Sequence, residues 1–168
     1  PRTTPQFGMV KSGANYAMAL APTLDAMARN EAVDQILFAT GGDITETGAA
    51  NFFLANDERV VTRQLDSSFL HGVTRASVLT LAADLGYEVE ERPIELSELQ
   101  EWADNGEAFL SGTAAVLSPV GTMLRGGEEI IFGDGQPGAN TLRLRESLVA
   151  IQNGSGDDDH GWRTAVRS

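Results

Sequence analysis

Apolar positions recur along this chain in two rhythms, one suited to helices and one to strands. Val78, Leu81, Ala82 and Leu85 stand at i, i+3, i+4 and i+7, with Gly86 following as a stop and Thr74 where an N-cap belongs. That spacing predicts an amphipathic helix. Over residues 87–94 the period drops to two, with Tyr87, Val89 and Glu91 opposite Glu88, Glu90 and Arg92, which predicts a strand. Ile36-Leu37-Phe38-Ala39 reads as a short buried strand, and Gly41-Gly42-Asp43 as the turn into strand-like Ile44-Thr45-Glu46. Residues 51–55 and 59–63 flank Asn56-Asp57-Glu58 as the arms of a hairpin.

An Ala-rich stretch after Tyr16 predicts a helix running to Asn30, kinked or delayed by Pro22. Ser97 stands as the cap of a short helix ending near Asn105-Gly106. Residues 108–110 and 115–120 read as strands around Ser111-Gly112-Thr113, and Gly126-Gly127 turns the chain before Ile130-Ile131-Phe132. A last helix is expected over residues 139–152, with Gly154 beyond it and a polar tail from Ser155 to the end. No internal repeat or long linker interrupts this order. Strands and helices mix without regular alternation, so the expected fold is a mixed α/β (α+β) domain, not a doubly wound one.

The 168 residues fit a single domain with a sizeable core. Cysteine is absent, which excludes disulfides and thiolate chemistry. No apolar run approaches the roughly 18 residues of a membrane span. The start, Pro1-Arg2-Thr3-Thr4-Pro5-Gln6, lacks the apolar stretch of a secretory signal, so a cytoplasmic location is expected. It also lacks an initiator Met, the mark of a processed or partial polypeptide. The net charge is −12, which argues against nucleic acid and anionic membranes as partners. Among twelve basic residues only Lys11 is a lysine. Arginine cannot stand in for a reactive amine, because its guanidinium stays protonated.

Four separated segments carry candidate chemistry. In Lys11-Ser12-Gly13-Ala14-Asn15-Tyr16, small residues leave room for an aldehyde cofactor beside the amine, and a phenol follows five residues on. A surface lysine before a turn fits the same residues. Glu46, in Asp43-Ile44-Thr45-Glu46-Thr47-Gly48, could hold a proton on a pyridine nitrogen or be a solvated acid at a strand end. Phe69-Leu70-His71-Gly72-Val73-Thr74-Arg75 runs straight into the predicted helix, where backbone N–H groups bind phosphate or simply await a cap. Ser111-Gly112-Thr113-Ala114-Ala115 could offer amides and hydroxyls to phosphate or carboxylate, and a tight loop explains it equally well.

In this order and at these separations, the four segments resemble the large domain of branched-chain amino acid aminotransferases, which are fold-type IV pyridoxal-phosphate enzymes. The resemblance runs over nearly the whole chain, including Gly133-Asp134-Gly135-Gln136-Pro137-Gly138 and Asp159-His160-Gly161-Trp162. It implies a pseudo-barrel sheet with flanking helices, of the D-amino acid aminotransferase-like kind. It implies pyridoxal 5′-phosphate as cofactor and transamination of leucine, isoleucine or valine with 2-oxoglutarate. Lys11 would carry the cofactor and shuttle the substrate proton; Tyr16 would bond the cofactor's phenolic oxygen and Glu46 its ring nitrogen. Leu70, Val73, Thr74 and Thr113 would surround the phosphate, and Thr113 and Ala114 the substrate carboxylate. A homodimer or higher homo-oligomer is implied as well.

Two departures are mild: Ala14 stands where a second glycine is commoner, and His71 where a proline is. A larger one is that nothing in the 168 residues matches the family's smaller N-terminal domain. The whole chain is therefore expected to be the cofactor-binding large domain. Alternatives are a D-amino acid transaminase, an aminodeoxychorismate lyase, or a truncated and catalytically silent binding or oligomerisation module. The GxGxxG match at Gly133 to Gly138 lacks the βαβ setting of a dinucleotide site. Adjacent Asp157, Asp158, Asp159 and His160 rarely converge on one ion, so no metal is expected.

Overall fold

The computed structural model describes residues 6–166 of the chain. Pro1 to Pro5, read above as a start without a secretory signal, lie outside the described residues. Helix α1 (Gly13–Arg29) comes first, followed by the strands β1 (Leu37–Thr40), β2 (Asp43–Thr47), β3 (Asn51–Ala55) and β4 (Arg59–Thr62). Then come α2 (Val73–Asp84), β5 (Glu88–Glu91), and a 3-10 turn (Leu96–Glu98) leading into α3 (Leu99–Asn105). The chain continues through β6 (Glu107–Gly112), β7 (Val116–Val120), the hairpin of β8 (Thr122–Arg125) and β9 (Glu128–Ile131), and α4 (Ala139–Asn153).

Strand β3 organises the sheet. One edge pairs along its length with β6, from Asn51 opposite Ser111 to Ala55 opposite Glu107. The other edge is shared: Asn51 faces Glu46 of β2, and Phe53 to Ala55 face β4. The sheet therefore splays at this point and curls back on itself. Beyond β5 the chain returns to β2, where the Ile44 amide donates to the Ile94 carbonyl at 2.8 Å. β4 and β5 are parallel, and α2 is the crossover between them. The expected mixed α/β fold, with its curled sheet and flanking helices, is thus the one observed.

Alternation along β3 feeds two cores. Phe53 and Ala55 point to the side covered by α2 and α4, packing with Val78, Leu81, Phe109, Leu144 and Leu148. Phe53 and Phe109 stack there with centroids 4.8 Å apart. Phe52 and Leu54 point into the curl of the sheet, against Ile44, Val61, Ile94, Leu99 and Trp102. Helix α1 is different: Leu20, Leu24 and Met27, at i, i+4 and i+7, are all exposed, so an apolar face stays open. Pro22 lies inside this helix, which runs on through it. No helix among the described residues is long and apolar enough to cross a membrane.

Two local expectations are corrected by packing. Thr74 is not the cap of α2; Gly72 holds that position, because its backbone must pass close to Asn51. Ser97 is not a cap either: Glu95 and Glu98 form a capping box, and Arg92 holds Glu98 through two bonds of 2.9 and 2.8 Å. Burial alone would raise the Glu98 pKa, but hydrogen bonds from Arg92, the Glu95 amide and Trp102 bring it below the ordinary carboxylate value.

The start of α4 depends on a carboxylate from another element. Glu107 of β6 accepts from the Asn140 amide at 2.8 Å and its side chain at 2.9 Å, and from the Thr141 amide and hydroxyl, both at 2.8 Å. A Cβ on Gly138 would fall 2.0 Å from the Glu107 side chain, so this carboxylate takes the space of a cap residue. Thr141 is fully buried, and losing its partner leaves two donors desolvated. Glu107→Ala should therefore cost about 2–4 kcal/mol, more than an ordinary cap. Urea unfolding would measure it, and a loss under about 1 kcal/mol would show that water replaces the carboxylate.

Candidate active site

Lys11 follows a loop that Asn15 ties down. The Asn15 side chain is buried and donates to the Phe7 and Val10 carbonyls at 2.8 and 2.7 Å. The loop before the lysine is thereby clamped onto the first turn of α1. The Lys11 amine is exposed and donates to the Tyr16 hydroxyl at 2.8 Å, so the amine and phenol five residues apart do meet. Gly8 presses this loop flat against the segment ahead of α2, where a Cβ would fall 2.1 Å from the Ser68 carbonyl carbon. No residue other than glycine fits there.

That second segment is braced by charge. Arg63 bonds one Asp43 oxygen at 2.9 and 2.6 Å, and Asp66 at 2.7 Å. The other Asp66 oxygen accepts from the Ser68 amide at 2.7 Å and hydroxyl at 2.5 Å. Burial would raise the Asp66 pKa, yet the Ser68 and Arg63 hydrogen bonds hold it below its ordinary value. Buried Arg75, in the first turn of α2, donates to the Arg63 carbonyl at 2.8 Å and to Glu91 at 2.5 Å. The loop is thus fixed at both ends before the helix begins.

Across three strands runs a row of polar residues. Glu46 of β2 faces Asn51 of β3, which on its other edge faces Ser111 of β6. These residues are 2%, 5% and 2% exposed, so the row is inside the protein. The Asn51 side chain donates to the Leu70 carbonyl at 3.0 Å. Its Oδ1 lies so close to Gly72 that a Cβ there would come within 2.3 Å. The middle of the row therefore abuts the N-terminus of α2. No side chain of Gly72 caps that helix, and its ladder starts with the Ala76 amide donating to the Gly72 carbonyl at 3.1 Å. The amides of Val73, Thr74 and Arg75 precede the ladder and face outward with the positive end of the helix dipole.

The turn between β2 and β3 is where these parts converge. A Cβ on Gly48 would lie 3.2 Å from Ala19 of α1, and one on Gly112 would lie 3.5 Å from the Ala49 carbonyl. The lysine helix and the end of β6 both pack on this turn, and Asn51 at its far end meets Leu70 and Gly72 at the start of α2. Glu46 stands beside Asn51 in the sheet, while Val73 is 84% exposed. Thr113 and Ala114 lie on the open turn beyond Gly112. That turn closes on Val116, a β-branched residue held at φ 61°.

Sequence reasoning gave no role to Asn15 or Asn51, and offered Ser111 only as one of the hydroxyls of its loop. A signal existed for two of them. Asn51 opens an otherwise apolar strand, and Ser111 stands two residues after Phe109, on a face that the strand period turns inward.

Comparison with known proteins agrees with this geometry. The family model described as amino-transferase class IV matches residues 6–122. The chain belongs to the class IV aminotransferases. Within them it is similar to the probable branched-chain-amino-acid aminotransferase of Staphylococcus epidermidis, 41% identical over 165 residues, covering 95% of this chain and 46% of that protein. The branched-chain-amino-acid aminotransferase of Mycobacterium tuberculosis is 41% identical over 92% of this chain and 44% of its own length. Among solved structures, the branched-chain amino acid aminotransferase of Escherichia coli superposes with a TM-score of 0.78 at 31% identity, covering 96% of this chain and 50% of that one. The chain spans about half the length of the curated relatives it matches.

Proposed function

We propose that residues 1–168 are the cofactor-binding large domain of a pyridoxal-phosphate-dependent enzyme that transaminates branched-chain L-amino acids with 2-oxoglutarate. The observation that carries this reading is the buried row Glu46-Asn51-Ser111, whose middle residue abuts the uncapped start of α2, with the chain's single lysine on the neighbouring loop. The donor set fits the cofactor: an amine for its aldehyde, a buried carboxylate for its ring nitrogen, and open helix amides for its phosphate. When bound, pyridoxal 5′-phosphate supplies an electron sink for the charge left as the substrate's α-proton departs.

The chain's own residues supply the rest. Lys11 binds the cofactor through its amine and then carries the proton to and from the substrate carbon. Tyr16, already in contact with that amine, orients it and bonds the cofactor's phenolic oxygen. Glu46 holds a proton on the ring nitrogen from inside the sheet. Leu70, Val73, Thr74 and Thr113 surround the phosphate, and Thr113 and Ala114 take the substrate carboxylate. Relatives named as branched-chain enzymes support the substrate class, and solved structures of such enzymes with pyridoxamine 5′-phosphate or a phosphopyridoxyl-glutamate adduct support the cofactor. The apolar face left open on α1 supports assembly into a homodimer or higher oligomer, with the cytoplasm as its location.

Borohydride reduction of the chain loaded with pyridoxal 5′-phosphate, followed by peptide mapping, tests the reading. With one lysine present, a phosphopyridoxyl group should appear on Lys11 and the visible band should vanish. Added leucine, isoleucine or valine should shift that band before reduction. A map with no label at Lys11, in this chain and in the longest polypeptide that carries it, would sink the assignment.

A further inference from the structure

Ser111 is an anomaly in the fold. Its hydroxyl is buried and has no hydrogen-bond partner. A buried hydroxyl left so costs about 1–3 kcal/mol relative to one that is bonded, so such groups call for an explanation. The register supplies a direction. Ser111 stands directly opposite Asn51, and residues opposed across antiparallel strands project from the same face. On that face the Asn51 side chain touches Leu70 and Gly72, the two residues that bring the chain into α2. The unsatisfied hydroxyl therefore projects from the sheet face on which Asn51 meets the segment leading into α2, whose first amides, of Val73, Thr74 and Arg75, precede the helix ladder.

We infer that Ser111 is a binding residue for the phosphate monoester of the cofactor, donating its hydroxyl to a phosphate oxygen alongside the helix amides. Asn51 is the positioning residue: it fixes the approach of α2 by holding the Leu70 carbonyl, and it abuts the glycine that keeps the helix start bare. This deepens the proposed function and rests on it for the identity of the phosphate ester. The chemistry suits the site, since an anion accepts from every donor there and a hydroxyl bond to a charged oxygen is stronger than one to a neutral partner. An ordinary structural serine would instead be bonded within the fold.

Pyridoxamine 5′-phosphate and pyridoxamine are the probes, because neither carries an aldehyde and neither needs Lys11 to bind. Titration calorimetry on the whole chain should show the phosphate ester bound about tenfold to a hundredfold more weakly by Ser111→Ala, with pyridoxamine affinity unchanged. Ser111→Thr, which keeps a hydroxyl, should recover most of the loss. The ligand-free melting temperature of Ser111→Ala should stay level or rise, since an unpartnered hydroxyl is exchanged for hydrogen. Equal phosphate selectivity in wild type and Ser111→Ala would overturn the inference, as would a drop in the ligand-free melting temperature. Selectivity that depends on Ser111 while Lys11 stays unlabelled would leave this inference standing and remove the proposed transamination. Labelled Lys11 with selectivity indifferent to Ser111 would do the reverse.

Discussion

Lys11→Arg should fold normally, leave no reducible cofactor adduct, and lose transamination on the order of 10⁴-fold or more, as enzymes do when a covalent nucleophile is removed. The stability expectation follows from exposure: the Lys11 side chain lies at the surface and its amine bonds the Tyr16 hydroxyl, a contact a guanidinium can also make. Surface changes of this kind stay within about 0.5 kcal/mol. The chemical expectation follows from the lone pair. An amine offers a lone pair that can attack an aldehyde, whereas a guanidinium stays protonated and does not. Affinity for pyridoxamine 5′-phosphate should change little, because the proposed phosphate contacts lie around the start of α2 and the end of β6. The variant thus separates holding the cofactor from bonding it. A reduced adduct persisting at wild-type stoichiometry in Lys11→Arg would place the reactive amine at the chain terminus instead.

Much of this was legible in the sequence because it depends on short-range periodicity. The 3.6-residue rhythm of Val78, Leu81 and Ala82 gave α2 and its inward face, and the hairpin of β3 and β4 came out at nearly its observed bounds. Strand β8 was not legible. Thr122 and Leu124 are exposed and only Met123 packs on a core, so the alternation is too faint to read, although Gly126 and Gly127 form the turn that joins it to β9. Thr74 misled because capping chemistry is local while Gly72 is dictated by Asn51, a neighbour across the fold. The meeting of Lys11 with Tyr16 was legible in their spacing, while the cofactor roles proposed for Lys11, Tyr16 and Glu46 rest on the family resemblance. Ser111 is singled out from the other hydroxyls of its loop only by strand register and by having no partner, and Glu107 only by meeting a helix more than thirty residues on.

Glu46→Gln should keep the fold and cut the rate. Glu46 is 2% exposed, and burying a carboxylate is among the costlier choices a fold can make. The amide has the same shape without the charge, so the cofactor-free protein should stay folded. In the loaded protein the exchange removes the only feature an isostere cannot copy, a negative charge that keeps a proton on the ring nitrogen. Loss of one such preorganised electrostatic contact costs about 10²–10³-fold in rate. The label on Lys11 should still form, because it needs the amine and the aldehyde and not the ring charge. Single-turnover transamination with leucine, measured beside thermal melts of the cofactor-free protein, reads both effects. Should the variant lose stability and keep its rate, Glu46 is a structural partner of the sheet and the ring nitrogen is served by another residue.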